Sequence, residues 1–85
     1  MFNVVIYKNK GCMKCRFTIR KFKSAGINPK VNYFDDEALS YAKQKGYGSA
    51  PLVQIYNKDN TLIDEWSDLN ISKINKYIAK FKNKK

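Results

Sequence analysis

The sequence predicts an α/β fold in which a mixed four-stranded sheet is flanked by three helices, in the order β-α-β-α-β-β-α. In the first half, short β-branched and aromatic runs alternate with segments of helical periodicity, which is typical of a βαβ unit with parallel strands. In the second half, two short runs flank the polar turn NKDN at 57–60, which indicates an antiparallel hairpin. A final amphipathic segment closes the chain, so we expect helices on both faces of the sheet.

The first half begins with the run FNVVIY at 2–7, which predicts a buried strand followed by the polar loop KNKG. From Cys12 onward, apolar residues recur at helical spacing until Gly26, so we predict a three-turn helix whose N-terminus lies at the cysteines. NPKVNYF at 28–34 predicts a second strand, and 35–48 a second helix that begins with acidic residues and ends with lysines and a glycine.

The second half predicts a strand within 49–56, a strand at 61–66 and a helix at 67–81. The last helix carries an apolar stripe at helical spacing, formed by Leu69, Ile71, Ile74, Tyr77, Ile78 and Phe81. We expect this stripe to pack on the sheet.

Length and composition favour one small domain spanning residues 1–85, with FKNKK at 81–85 as a basic frayed tail. A hydrophobic content of 44% argues against a disordered chain. The apolar runs are too short to cross a bilayer, and the N-terminus lacks the pattern of a secretory signal. We therefore expect a cytoplasmic monomer without membrane association, in a compartment where most thiols stay reduced.

The two cysteines, Cys12 and Cys15, allow several interpretations. A structural zinc site needs four ligands, whereas the chain offers two thiols and no histidine, so a resident metal is disfavoured unless two chains share it. A structural disulfide across so short a loop would remove little chain entropy. Two ordinary helix cysteines, one of them in the core, are the plainest alternative.

The position of the pair favours redox chemistry. At the first turn of a helix, the thiolate of Cys12 can accept backbone N–H bonds and face the positive end of the helix dipole, while Lys10 and Arg16 add positive potential. We expect these groups to lower the pKa of the Cys12 thiol from its ordinary value of about 8.5. Cys12 is then the nucleophile, and Cys15, one turn on and nearer the core, is the resolving thiol.

The residues between the cysteines, Met13 and Lys14, lie where a substrate would approach. Met13 offers a soft apolar contact to an incoming chain. Both residues can equally be spacers on an exposed turn.

Three segments together resemble the glutaredoxin family of the thioredoxin fold, most closely its NrdH-type redoxins. They are IYKNKGCMKC at 6–15, the Ala50–Pro51 pair, and EWSDLNISKI at 65–74. The resemblance implies a dithiol–disulfide oxidoreductase with a redox-active disulfide and no tightly bound cofactor. It also implies a cis peptide before Pro51 that faces the cysteines and leaves the backbone of Ala50 free to pair with a substrate.

The resemblance leaves the electron donor open. Trp66 and Ser67 match the NrdH type, whereas Ser67 with Asp68 looks like the glutaredoxin segment that holds the amino group of glutathione. The glycine pair that usually precedes that segment is replaced by Asp64 and Glu65, whose carboxylates should repel glutathione. We therefore expect thioredoxin reductase as the better donor, glutathione as the alternative co-substrate, and ribonucleotide reductase as the disulfide-containing partner. Trp66 can also be a core residue.

A net charge of +10, from 17 basic and 7 acidic residues, suggests a different class of function. A basic, non-catalytic module could bind an acidic protein or a nucleic acid. Bases could then stack on the aromatic residues that lie among the lysines, namely Tyr33, Phe34, Tyr47 and Tyr56. The basic residues are spread over the chain without a recognisable nucleic-acid motif, which makes nucleic acid the less favoured partner.

Overall fold

The computed structural model describes residues 2–83 and confirms the predicted α/β architecture. Four strands and three helices follow in the predicted order: β1 (Phe2–Lys8), α1 (Met13–Ser24), β2 (Lys30–Tyr33), α2 (Asp36–Gln44), β3 (Leu52–Asn57), β4 (Leu62–Ser67) and α3 (Ile71–Lys82). The strand order in the sheet is β2-β1-β3-β4, with β1 and β2 parallel and the other neighbours antiparallel. The sheet is therefore mixed, as the sequence predicts.

Each helix begins with a side chain that caps its first backbone N–H groups. The Cys12 sulfur accepts from the N–H of Cys15 at the start of α1, and Asp35 accepts from the N–H of Ala38 at the start of α2. Asn70 does the same for α3. Such caps satisfy N–H groups that have no partner inside the helix, and they fix where each helix starts.

The main core lies between the sheet and the pair α1 and α3. Phe22 of α1 and Ile74 of α3 are completely buried there, against buried residues of β1 and β3. Trp66 of β4 stacks on Tyr77 of α3 with ring centroids 6.0 Å apart. Burial of this apolar surface is the principal favourable contribution to the stability of so small a domain.

Several predicted boundaries are wrong by a few residues. β2 is shorter than 28–34, and α2 ends at Gln44, where Gly46 takes a positive φ of 78° that stops the helix. The third strand starts at Leu52, inside the predicted range 49–56, and runs on to Asn57, which was predicted to belong to the turn.

At the C-terminal end, α3 begins at Ile71, since β4 extends through Ser67 and Asp68 takes a positive φ of 69°. The helix continues through Lys82, and Phe81 packs against the core, so 81–82 belong to the fold and not to a frayed tail. Residues 84–85 of the predicted tail lie outside the described part of the chain.

Three loops meet at one end of the strands. Tyr7, near the end of β1, is paired with Leu52 at the start of β3, and Leu52 is paired with Ser67 at the end of β4. The loop that leads to Cys12, the loop that contains Pro51 and the loop after β4 therefore meet at the same end of the sheet.

Within residues 2–83, none of the helices is long and apolar enough to cross a membrane.

Candidate active site

Cys12 and Cys15 form a disulfide whose two ends differ in exposure. The Cα atoms of the two cysteines are 5.2 Å apart. Cys12 caps α1 and is partly exposed, whereas Cys15 lies inside the first turn and is completely buried. An external thiol or disulfide can therefore reach the sulfur of Cys12, while Cys15 can react only with its neighbour.

The local backbone explains how Cys12 reaches this position. β1 ends at Lys8, and Gly11 turns the chain with a positive φ of 67°, a conformation that glycine adopts without a steric penalty. Cys12 itself is extended, and its sulfur lies 3.1 Å from the backbone nitrogen of Cys15, which donates a hydrogen bond. The sulfur therefore faces free N–H groups and the positive end of the helix dipole.

Of the basic residues near the disulfide, Lys14 is engaged in an ion pair and Lys10 and Arg16 are exposed. The Lys14 ammonium lies 2.9 Å from the carboxylate of Asp68, in the loop after β4. The Arg16 guanidinium lies 4.0 Å from the sulfur of Met13, which is itself 72% exposed. The surface beside Cys12 therefore combines exposed positive charge with an exposed thioether.

Asp68 joins the three segments that surround the disulfide. Its backbone N–H donates to the carbonyl of Pro51 at 2.9 Å, and its carboxylate accepts from Lys14 and from the N–H of Leu69. The hydrogen bond from Lys14, followed by that from Leu69, holds the pKa of Asp68 below its ordinary value. The Ala50–Pro51 peptide bond is cis, as the resemblance implies.

The structure places Trp66 in the core and not on the surface. Only 5% of the residue is exposed, its ring is stacked on Tyr77, and the ammonium of Lys73 lies 5.5 Å from its ring centroid. This burial favours the alternative that Trp66 is a core residue, and its role as a substrate contact stays a prediction. Ser67, the next residue, ends β4 and is partly exposed.

The expectation that Asp64 and Glu65 together face the site is wrong, because adjacent residues of a strand point to opposite faces of the sheet. Asp64 points toward α3, where its carboxylate accepts from Lys73 at 2.7 Å and from the Tyr77 hydroxyl at 2.8 Å. Burial alone would raise the pKa of Asp64, but these hydrogen bonds outweigh burial and lower it.

Glu65 points to the other face of the sheet, toward α2. Its carboxylate accepts from the hydroxyls of Tyr41 and Tyr47 and from the side-chain amide of Gln54. Burial, together with the hydrogen bond to Glu65, raises the pKa of Tyr41 to about 12. The carboxylates of Asp64 and Glu65 are therefore both hydrogen-bonded to side chains of this protein, on opposite faces of the sheet.

Several exposed apolar side chains were not predicted as surface residues. Leu69 and Ile71 were placed in the buried stripe of the last helix, yet both are exposed, and Phe17 of α1 is exposed as well. Leu69 directly follows Asp68, and Phe17 lies one turn after Met13. The sequence signal was the cap residue Asn70, which puts Leu69 before the helix and Ile71 at its first position, away from its packed middle.

No group of three or more Cys, Asp or Glu side chains among residues 2–83 is arranged to hold a metal ion. The chemistry available at this end of the sheet is that of the two sulfur atoms. A disulfide with one accessible and one buried sulfur can exchange with an external thiol, and the reduced pair can attack an external disulfide.

No protein-family model matches the sequence, and no curated protein matches it either. Solved structures do match. NrdH-redoxin from Escherichia coli, described as a glutaredoxin-like protein with a thioredoxin-like activity profile, is 22% identical, with a TM-score of 0.74 over 87% of this chain and 92% of that one. Fasciola hepatica thioredoxin is 19% identical, with a TM-score of 0.61 over 93% of this chain and 79% of that one.

Thioredoxin f2, in a structure of its complex with ferredoxin:thioredoxin reductase, is 15% identical, with a TM-score of 0.63 over 96% of this chain and 78% of that one. At these identities the comparisons establish the fold alone. The C-x-x-C disulfide and the cis-proline are features of this chain's own structure. The chain has the thioredoxin fold.

Proposed function

We propose that this protein is a dithiol–disulfide oxidoreductase that reduces disulfides in other proteins through Cys12 and Cys15. The observation that supports it most is the asymmetric disulfide at the start of α1, with Cys12 accessible and Cys15 completely buried. A pair of this kind can turn over, because one sulfur meets the substrate and the other releases it. Such turnover needs a supply of reductant, as in the cytoplasm predicted from the sequence.

The proposed reaction conserves atoms and electrons in two exchange steps. In the first, the thiolate of reduced Cys12 attacks one sulfur of the substrate disulfide, so that a mixed disulfide forms and the second substrate sulfur leaves as a thiolate. In the second, the thiolate of Cys15 attacks Cys12, the Cys12–Cys15 bond forms, and the first substrate sulfur leaves. The protein loses two electrons and two protons, and the substrate gains them.

This scheme assigns a role to each group around the disulfide. The helix N-terminus stabilises the Cys12 thiolate, and Lys10 and Arg16 add positive potential to the same surface. The backbone at Ala50, before the cis-proline, is the candidate partner for an extended substrate segment. Met13 supplies an apolar contact, and Lys14 with Asp68 holds the first turn of α1 to the neighbouring loop.

An insulin reduction assay with dithiothreitol as the bulk reductant tests the proposal. We expect the parent protein to accelerate insulin precipitation, and Cys12→Ser to lower the rate to that of dithiothreitol alone. Cys15→Ser, reduced and then freed of dithiothreitol before insulin is added, should instead accumulate a mixed disulfide with insulin that survives non-reducing electrophoresis. Ser40→Ala, a loss of one exposed hydroxyl on α2, is the matched control and should behave as the parent. A Cys12→Ser protein with the parent rate would refute the proposal.

For the electron donor, we propose thioredoxin reductase over glutathione, on the basis of Asp68 alone. Asp68 is the residue that the resemblance assigns to the glutathione amino group, yet its carboxylate is paired with Lys14. An incoming ammonium would have to displace Lys14, while a reductase that docks on the exposed surface would not. By resemblance, ribonucleotide reductase is the proposed downstream substrate.

Two NADPH-coupled assays at matched donor concentrations test the donor. One contains thioredoxin reductase, and the other contains glutathione with its own reductase. We expect the first to be faster with the parent protein, and Lys14→Ala to raise the glutathione rate because it frees Asp68. Lys58→Ala removes an exposed lysine of the β3–β4 turn and is the control. If glutathione is the faster donor and Asp68→Ala abolishes its activity, the donor proposal is wrong.

The rival function, a basic nucleic-acid-binding module, gains little support from the placement of its aromatic residues. Tyr47 and Tyr56 donate their hydroxyls to Glu65 and Gln54, and Phe34 packs against Tyr7. Tyr33 is exposed, with the ammonium of Lys8 over its ring. These rings do not form one stacking surface, so binding of single-stranded nucleic acid is not proposed.

A further inference from the structure

A small pocket lies between α2 and the loops that meet at the disulfide end of the sheet. Its volume is about 220 Å³, and six of its lining residues are apolar or aromatic: Phe34, Leu39, Ala42, Tyr47, Ala50 and Leu52. This volume is below the range of about 300–1,000 Å³ that is usual for sites of drug-sized ligands and cofactors. The pocket, called here the Leu39 pocket, therefore suits a single side chain.

Two of the lining residues connect the Leu39 pocket to the proposed site of disulfide exchange. Asn9 belongs to the loop that leads from β1 to Cys12, and Ala50 precedes the cis-proline. The backbone N–H of Phe34 donates to the carbonyl of Lys8, which holds the start of the α2 segment against the same loop. A chain that lies along Ala50 to reach Cys12 therefore passes the mouth of the pocket.

The surface of the pocket is mostly apolar, with one cation at its rim. Leu39 is 46% exposed although it is aliphatic, and the hydroxyl of Tyr47 is directed toward Glu65. Lys43 is the charged residue that lines the pocket, and it is exposed. An apolar side chain with a carboxylate beside it would bury the exposed surface of Leu39 and place its negative charge near Lys43.

We propose that the Leu39 pocket binds one apolar side chain of the protein segment whose disulfide is reduced at Cys12, and so selects substrates by a residue close to their cysteine. The inference rests on the proposed oxidoreductase function, which it deepens by naming a specificity site. Its occupant is a disulfide-bearing protein segment with an apolar residue and an acidic neighbour.

A peptide series tests the pocket separately from the chemistry. Each peptide is a capped pentapeptide with a central cysteine held as a mixed disulfide with nitrothiobenzoate, and the other positions are alanine. A single leucine is then scanned over the four alanine positions. Attack of reduced Cys12 on the peptide sulfur releases one nitrothiobenzoate thiolate, which is followed by its absorbance. Attack of Cys15 on Cys12 then closes the protein disulfide and releases the peptide thiol.

At one of the four positions, we expect leucine to raise the second-order rate constant of nitrothiobenzoate release, measured in a single turnover of the reduced protein, about tenfold over the all-alanine peptide. This is the order of discrimination that a few methyl groups give in an apolar pocket. Leu39→Ala should cut that ratio to roughly threefold or less, since part of the pocket wall is lost. Ile63→Ala removes a similarly exposed aliphatic side chain from β4, away from the pocket, and should leave the ratio unchanged. A glutamate beside the favoured leucine should raise the rate further, and Lys43→Glu should reverse that gain.

The outcomes separate the two proposals. If the parent protein reduces the all-alanine peptide but leucine has no effect at any position, the pocket proposal is wrong and the oxidoreductase proposal stands. If leucine raises the rate and Leu39→Ala leaves the ratio intact, the preference arises elsewhere and the pocket proposal is also wrong. If no peptide of the series releases nitrothiobenzoate faster than a Cys12→Ser protein does, the proposed function itself fails.

Discussion

Replacement of Asp64 by asparagine should destabilise the fold by removing a largely buried charge from its hydrogen bonds. The carboxylate accepts from the Lys73 ammonium at 2.7 Å and from the Tyr77 hydroxyl at 2.8 Å, and only 17% of the Asp64 side chain is exposed. A hydrogen bond to a charged group contributes about 1.5–3 kcal/mol. The Lys73 side chain is 35% exposed, so solvent weakens its hydrogen bond to Asp64. We therefore expect Asp64→Asn to lower the free energy of unfolding by about 2 kcal/mol in total.

Urea unfolding provides the measurement, with Trp66 as the single tryptophan reporter in the core. For a domain of this size the free energy of unfolding falls by about 1 kcal/mol for each molar of urea, so Asp64→Asn should lower the midpoint by about 2 M at pH 7. Asp59→Asn makes the same chemical change on the exposed β3–β4 turn, and its midpoint should stay within a few tenths of a molar of the parent's.

The stabilisation that Asp64 provides should depend on pH. The pKa of Asp64 in the folded protein lies below its ordinary value of 3.8, so the folded state favours the ionised carboxylate. The resulting stability is fully present above the ordinary value and is lost as the pH falls through the lower folded pKa. The gap between the parent and Asp64→Asn should therefore be equal at pH 7 and pH 5, and should shrink below pH 4. A gap of the same size at pH 2.5, or no gap at pH 7, would refute the assignment.

Two further predictions concern titration. In the reduced protein, the rate at which iodoacetamide alkylates Cys12 should rise with pH and reach its midpoint below about pH 8, and Cys15 should react more slowly at every pH. Mass spectrometry of peptides measures both rates. A midpoint near the ordinary thiol pKa of about 8.5 would mean that the helix terminus does not stabilise the thiolate. Burial and the hydrogen bonds to Glu65 and Asp64 raise the pKa values of Tyr41 and Tyr77 to about 12, so two of the six tyrosines should ionise last in an ultraviolet titration. Their contribution to stability is full below pH 10 and is lost as the pH rises through 12, and six tyrosines that ionise together near pH 10 would contradict the two hydrogen bonds.

The order of the elements and the placement of the cysteine pair could be predicted from the sequence, because local signals determine both. β1 is a continuous β-branched run, and the change of period at Cys12 marks the start of α1. Gly26 and Gly46 take the positive φ angles that end helices, as their positions after lysine-rich turns suggest. These residues would adopt the same conformation in many tertiary surroundings.

The start of α3 could not be predicted in this way, because it depends on how far β4 extends. Ser67 pairs with Leu52 in the sheet, and only then does Asp68 turn the chain toward Asn70. The apolar period by itself continues back to Leu69 and so predicts an earlier helix. The same displacement explains why Leu69 and Ile71, which fit the stripe, are exposed.

The proposal for the electron donor depends on which face of the sheet each side chain of β4 occupies. Taken as a linear motif, Asp64 and Glu65 are two carboxylates in front of an incoming glutathione. On the strand they face opposite sides of the sheet, where Lys73 and Tyr41 hold them, so neither needs an external cation. The acidic side chain that remains at the disulfide is Asp68, and its charge is paired with Lys14, the residue before Cys15. On the donor proposal, glutathione has to compete with Lys14 for this one exposed carboxylate, and the Lys14→Ala and Asp68→Ala proteins alter the two sides of that competition separately.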